Sequence, residues 1–210
     1  MTDFDPAADP TIAASELEAA RSRANYGDID PRGYAPTPQT EDMERAAPAP
    51  LMPLDIALGQ AFLTACTTSR PRVTYGLGCK VPFFKAKPGV DFTKVDCSGF
   101  VREAIREATM PMVPFPDGSV VQHDWIIAQR YKKTTVASGK LADGRVRIAF
   151  LSPSDTSSRI GHVVLIQNGR TLESHGGAGP DSRPWNGESW QAVTRVYELT
   201  GPLAAPPATS

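Results

Sequence analysis

The sequence predicts an α+β domain in which N-terminal helices pack on an antiparallel β-sheet. Three observations carry that prediction. Apolar residues recur at helical spacing in two stretches, from Leu54 to Cys66 and from Cys97 to Ala108. Alternating, strand-like segments are confined to the C-terminal part, from Val146 to Tyr197. Two of these segments flank Asn168-Gly169, a pair that accepts positive φ at both positions and so closes a tight hairpin. Helices followed by strands, rather than alternating with them, mark an α+β order.

Taken along the chain, residues 1–50 form an acidic leader. They hold 10 acidic and 4 basic side chains, with seven prolines and eleven alanines. Such a composition buries too little apolar surface to fold alone, although Asp9-Pro10 followed by Ile12 to Ala24 has the start and the composition of a helix. The folded domain is expected over 51–200, with a Pro/Ala tail over 201–210. Within it, Leu54, Ala57, Leu58, Ala61, Phe62, Ala65 and Cys66 make one apolar helical face. A Gly-, Pro- and Lys-rich loop runs from Arg70 to Lys94. Cys97, Phe100, Val101, Ala104, Ile105 and Ala108 then define the clearest helix, ended before Pro111. Ser119 with Gln122 reads as a capping box opening a third helix that runs to about Tyr131, with Val121, Trp125 and Ala128 on its inner face. Strands follow at Arg145 to Phe150, His162 to Gln167, Arg170 to His175 and Val193 to Tyr197.

Composition narrows the function. Of the 210 residues, 22 are Lys or Arg and 23 Asp or Glu, a net charge of −1 that lacks the basic excess of a nucleic-acid binder. No apolar run is long enough to span a bilayer. The first residues show neither a basic n-region nor an apolar h-region, so an ordinary cleaved signal is not expected. Three cysteines, Cys66, Cys79 and Cys97, are too few and wrongly spaced for a disulfide framework or a metal site, and no cofactor or metal is expected. The glycine runs Gly76-Leu77-Gly78 and Gly176-Gly177-Ala178-Gly179 lack the strand and helix that a phosphate-binding loop needs.

The candidate chemistry lies in Cys97 and the hairpin. Cys97 opens its helix, where unpaired N–H groups and the helix dipole favour negative charge. Counting outward from the Asn168-Gly169 turn places His162 opposite His175, with their Cβ atoms about 5 Å apart on one face of the sheet. A nucleophile needs a base, and the base needs a group to orient it. Cys97, His162 and His175 offer those three roles. His123 falls off the inner face of its helix, reads as a solvated residue, and is the remaining imidazole should the hairpin register slip. Cys66 reads as core packing and Cys79 has no assigned role. Trp125, Trp185 and Trp190 could line a groove or simply pack.

These residues resemble a known family. Val95-Asp96-Cys97-Ser98-Gly99-Phe100-Val101 resembles the nucleophile motif of the NlpC/P60 cysteine peptidases, and Gly161-His162-Val163-Val164-Leu165-Ile166-Gln167-Asn168-Gly169 resembles their base-bearing strand and hairpin. Leu172-Glu173-Ser174-His175 looks like the strand of the third polar residue, often histidine in the family, and Tyr75-Gly76 resembles its upstream aromatic–glycine segment. The resemblance covers roughly residues 54–199. It implies a papain-like core that hydrolyses amide bonds in peptidoglycan stem peptides or cross-links. Carried over by position, it implies Cys97 as nucleophile, His162 as general base and His175 as orienter. Asp96, Ser98 and Tyr75 would be substrate contacts, the first two at the substrate's amino end, and the Cys97 N–H an oxyanion donor.

Two features depart from the family pattern. The upstream segment reads Val73-Thr74-Tyr75-Gly76, so the usual first aromatic is either absent or replaced by Tyr75 with a shift, and an insert from Thr109 to Gly144 follows the nucleophile helix. A wall-directed motif without a signal suggests delivery as an antibacterial effector, with a cognate immunity protein as partner, or by a phage-type route. Two other classes stay open: a Cys–His acyltransferase on another substrate, and a non-catalytic binding module of the same fold.

Overall fold

The computed structural model describes residues 54, 56–109, 112–177 and 179–200. The expected leader with its Asp9–Ala24 helix and the C-terminal tail lie outside the described residues. Among the described residues three α-helices and eight strands follow one another: α1 (Ile56–Thr68), β1 (Thr74–Tyr75), β2 (Lys94–Val95), α2 (Cys97–Ala108), α3 (Ser119–Ala128), β3 (Lys133–Thr134), β4 (Val146–Leu151), β5 (His162–Gln167), β6 (Arg170–His175), β7 (Gly179–Asp181) and β8 (Arg195–Glu198). The main sheet has the order β3-β8-β4-β5-β6-β7 with every pairing antiparallel, and β1 pairs with β2 in a small parallel sheet of its own. The α+β prediction holds at this level. No helix among the described residues is long and apolar enough to cross a membrane.

Helix α2 forms where periodicity predicts. Asp96 caps it, its carboxylate accepting the Gly99 N–H at 2.7 Å, and the N–H groups of the first turn gain a partner that water would otherwise supply. Phe100, Val101, Ala104 and Ile105 are fully buried and form the main core with Ile148, Phe150, Val163, Leu165 and Leu172 of the sheet. A second, smaller cluster of Ala149, Val164, Ile166, Trp185 and Val196 covers the opposite face. Both faces of β4 and β5 are therefore buried, and alternation survives there as two kinds of neighbour instead of as apolar against polar. Arg147, 1 % exposed, is tolerated because its guanidinium meets Asp143 through two hydrogen bonds of 3.0 and 2.6 Å.

The hairpin turn and its first three pairs are as predicted, but the pairing does not reach His162 and His175. Asn168 and Gly169 take φ of 49° and 73°, and Gln167 pairs with Arg170, Ile166 with Thr171 and Leu165 with Leu172. Elsewhere the structure corrects the sequence reading. Among the described side chains of α1, Gly59, Phe62 and Cys66 lie inward, while Ala57, Ala61 and Ala65 face solvent, because a methyl group buries too little area to hold the helix orientation. Helix α3 starts without a side-chain cap and ends at Ala128; Val121 and Ala128 are exposed, and Gln122 and Ile126 point inward. The capping box does not form, because the Gln122 amide is drawn away to the carbonyls of Ser98, at 2.9 Å, and Pro116, at 2.8 Å. Val193 ends a short 3-10 turn over Ser189–Val193, so the last strand begins at Arg195.

Candidate active site

The nucleophile candidate is positioned from below by sheet contacts. Strand β2 delivers the chain into α2, and the Ser174 hydroxyl of β6 donates to the Val95 carbonyl at 2.7 Å, tying the helix start to the hairpin. Cys97, 4 % exposed, then lies in hydrogen-bonding range of the His162 ring, at the first residue of β5. The proximity that spacing alone could not show is present.

His162 Nε2 is held at 2.8 Å by Glu173 Oε2, which leaves Nδ1 as the nitrogen turned to Cys97. This is the main difference from expectation, which placed His175 in the orienting position. Glu173 sits one diagonal step from His162 on the same side of β6, and a glutamate side chain is long enough to reach across that diagonal. The β5–β6 pairing stops at Leu165 and Leu172, and from Glu173 onward β6 pairs with β7. His175 is thus paired with Gly179, its Nδ1 lies 2.8 Å from the Gly176 carbonyl and its Nε2 3.8 Å from Asp181. Burial, and then the Arg183 charge, hold the His175 pKa below the ordinary value.

Glu173 is fully buried and fully satisfied. Oε2 accepts from His162 Nε2 and from Arg183 Nη2, each at 2.8 Å; Oε1 accepts from Thr171 Oγ1 at 2.6 Å and Arg183 Nε at 2.9 Å. Burial by itself would raise its pKa, but the hydrogen bonds and positive charges of His162 and Arg183 outweigh it and keep the carboxyl ionised far below its usual range. The same balance acts on His162. Burial pulls its pKa down, while hydrogen bonds to Cys97 and Glu173, and their negative charges, push it up to about 9. Trp190 covers this series, its ring set edge-on to His162 at 5.4 Å between centroids, with the Arg183 guanidinium over its face at 5.5 Å.

Asp96 and Ser98 flank Cys97 as expected, yet their polar atoms are engaged from within. Lys80 Nζ donates to both Asp96 oxygens, at 2.8 and 2.6 Å, and to the Ser98 hydroxyl; the Gly78 N–H adds a further bond to Asp96 at 3.1 Å. The Lys80 ammonium offsets the burial of the Asp96 carboxylate, which the positive end of the helix dipole also favours. An internal ammonium therefore stands where the resemblance implies a substrate amine. Tyr75, half-buried in β1, pairs with Val95, two residues before Cys97. The Thr109–Gly144 insert reaches the site through α3, whose Gln122 donates to the Ser98 carbonyl.

His123 is not the solvated residue expected. Its Nε2 lies 2.9 Å from the Tyr197 hydroxyl and its ring packs on Phe150, with burial first and the Arg195 charge second lowering its pKa. Cys66 is fully buried and burial pushes its thiol up to about 12. Among the described residues no cluster of His, Cys, Asp and Glu could hold a metal ion. Sequence reasoning gave no role to Glu173, Arg183 or Lys80. Glu173 carried a usable signal, since it lies one diagonal from His162; Arg183 and Lys80 come from loops that no periodicity places.

A thiol, an imidazole and a buried carboxylate in series are the parts of a covalent acyl-transfer centre. No protein-family model matches the chain, and no curated protein matches it.

Proposed function

We propose that this chain is a cysteine hydrolase of amide bonds, built on a papain-like core as in the NlpC/P60 peptidases and acting on peptidoglycan stem peptides or cross-links. The observation that carries the reaction class is the series Cys97–His162–Glu173–Arg183, in which Glu173 is hydrogen-bonded to both His162 and Arg183 and the His162 ring lies beside Cys97. The choice of wall peptides as substrate rests on the resemblance of the Cys97 and His162 segments.

In this reading the Cys97 sulfur attacks the amide carbonyl, and the thiol proton resides on His162. The carbonyl π pair moves to oxygen, where the Cys97 N–H, a donor of the helix's first turn, stabilises the negative charge. Collapse breaks the C–N bond as His162 gives its proton to the departing amine, leaving a thioester. Water, deprotonated by His162, then attacks the thioester; the carboxylic acid leaves and the proton returns to the Cys97–His162 pair. A His162 pKa of about 9 keeps the proton on the imidazole at neutral pH, which is the form the leaving amine needs. Glu173 fixes the ring angle and balances the imidazolium, and Arg183 with Thr171 fixes Glu173. His175 has no step in this scheme. Asp96 and Ser98, with Lys80, hold the start of α2.

Clearing of a purified peptidoglycan suspension by the wild-type chain and by Cys97→Ala tests the proposal. Loss of turbidity with wild type alone is expected. Equal clearing by both would remove Cys97 from the mechanism.

A further inference from the structure

A pocket of about 240 Å³ lies between α3 and the end of β4, next to Gly161, the residue before His162. Val120 and His123 form one wall, Phe150 and Leu151 the other, and Ser152-Pro153 closes one end. Three of its lining residues crowd the backbone next to His162. A Cβ at Gly161 would fall 2.7 Å from the Ser119 hydroxyl, 3.1 Å from the Leu151 carbonyl and 3.2 Å from Pro153, and Leu151 is the β4 partner of His162 itself. The pocket is therefore separated from His162 by a single glycine that admits no side chain.

Its chemistry is restrictive. No Lys, Arg, Asp or Glu lines it, so an ionised group entering it finds no charged partner on its walls. The His123 ring is already turned to Tyr197, and burial favours its neutral form. The volume falls below that of a drug-sized site and suits a single side chain or short acyl group.

We propose that this pocket is a subsite of the Cys97 centre and takes a small uncharged, mainly apolar group attached close to the scissile carbonyl. This rests on the proposed nucleophilic role of Cys97 and adds a selectivity that the α3 insert supplies.

The test uses two reagents on the full chain, iodoacetamide and N-benzyl-iodoacetamide. In each case the Cys97 sulfur displaces iodide and forms a thioether, so the leaving group is constant and only the appended group differs. The benzyl reagent is expected to modify Cys97 at least ten times faster than iodoacetamide. Val120→Trp, a change at a half-exposed helix position that fills the pocket, should bring the two rates together. Equal rates in wild type, or a preference that survives Val120→Trp, would overturn the subsite. A Cys97 inert to both reagents instead overturns the proposed function. The pocket is then judged separately by the His123 ring resonance, which should move on titration with N-acetylleucinamide in wild type and stay fixed in Val120→Trp; no movement in wild type refutes it.

Discussion

Replacing Glu173 by Gln removes one charge and no volume, and so isolates the electrostatic part of the proposed centre. Glu173 accepts four hydrogen bonds, two of them from Arg183 and one from His162. A glutamine offers one acceptor oxygen and one NH2 group; in either orientation the NH2 faces a donor nitrogen of Arg183, and it spares His162 when it takes the Oε1 position beside Thr171. One charge-assisted hydrogen bond is lost, worth roughly 1.5–3 kcal/mol. Since one pH unit corresponds to about 1.4 kcal/mol, the His162 titration should move towards acid by about one to two pH units from its position at about 9. The same energy, if expressed in the transition state, lowers kcat/KM by roughly 10- to 150-fold. Two readouts check this: the pH titration of the His162 ring protons by NMR, and the alkaline limb of the pH–rate profile. In wild type both should fall near pH 9. In Glu173→Gln they should move together towards acid, while the circular dichroism spectrum stays unchanged. A folded variant whose His162 titration and rate profile coincide with wild type would refute the coupling between these residues.

Other outcomes follow from the same geometry. Iodoacetamide at pH 7.5 should label Cys97 and spare Cys66, whose thiol burial pushes up to about 12; peptide mapping by mass spectrometry reads both sites, and labelling of Cys66 in the folded chain would contradict its burial. The raised pKa of His162 stabilises the fold in full below its ordinary value of 6.5, and this contribution disappears as pH rises through about 9. Thermal melts should therefore show Tm declining between pH 6.5 and 9, and declining less in Glu173→Gln. Gly139→Ala would set a methyl group inside contact distance of Trp185 Nε1, displacing a ring whose N–H bonds the Val136 carbonyl at 2.9 Å. A cost of about 1–3 kcal/mol, or a Tm lower by roughly 2–12 °C, is expected from calorimetry, with Lys140→Ala at the exposed neighbouring position as the control.

The parts of the fold legible in the sequence are those set by local rules. Helix α2 has a capping aspartate and an uninterrupted apolar stripe; the β5–β6 hairpin has a turn pair with only one comfortable geometry. Both sit beneath the candidate site, which is why Cys97 and His162 could be named together in advance. What could not be read is set by tertiary contact. Strands β1, β2 and β3 have two residues each, too few to display a period, and they exist because a neighbouring strand supplies their hydrogen bonds. Gln122 looked like half of a capping box until a buried carbonyl of α2 claimed its amide. The same competition decided the orienting group. A directly opposite histidine is the simplest reading of a hairpin, but an arginine arriving from beyond β7 stabilises a buried glutamate one diagonal away, and the charged pair holds His162. Register alone does not choose between a facing and a diagonal neighbour; the charge of Arg183 does.

The central claim is that Cys97 cuts an amide bond in peptidoglycan. Mass spectrometry of purified wall material digested by wild type and by Cys97→Ala tests it most directly. Fragments from wild type alone, each cut exposing one new amine and one new carboxylate in a stem peptide or cross-link, are the predicted result. Stem peptides left intact by the wild-type chain, or the same cuts made by Cys97→Ala, would contradict it.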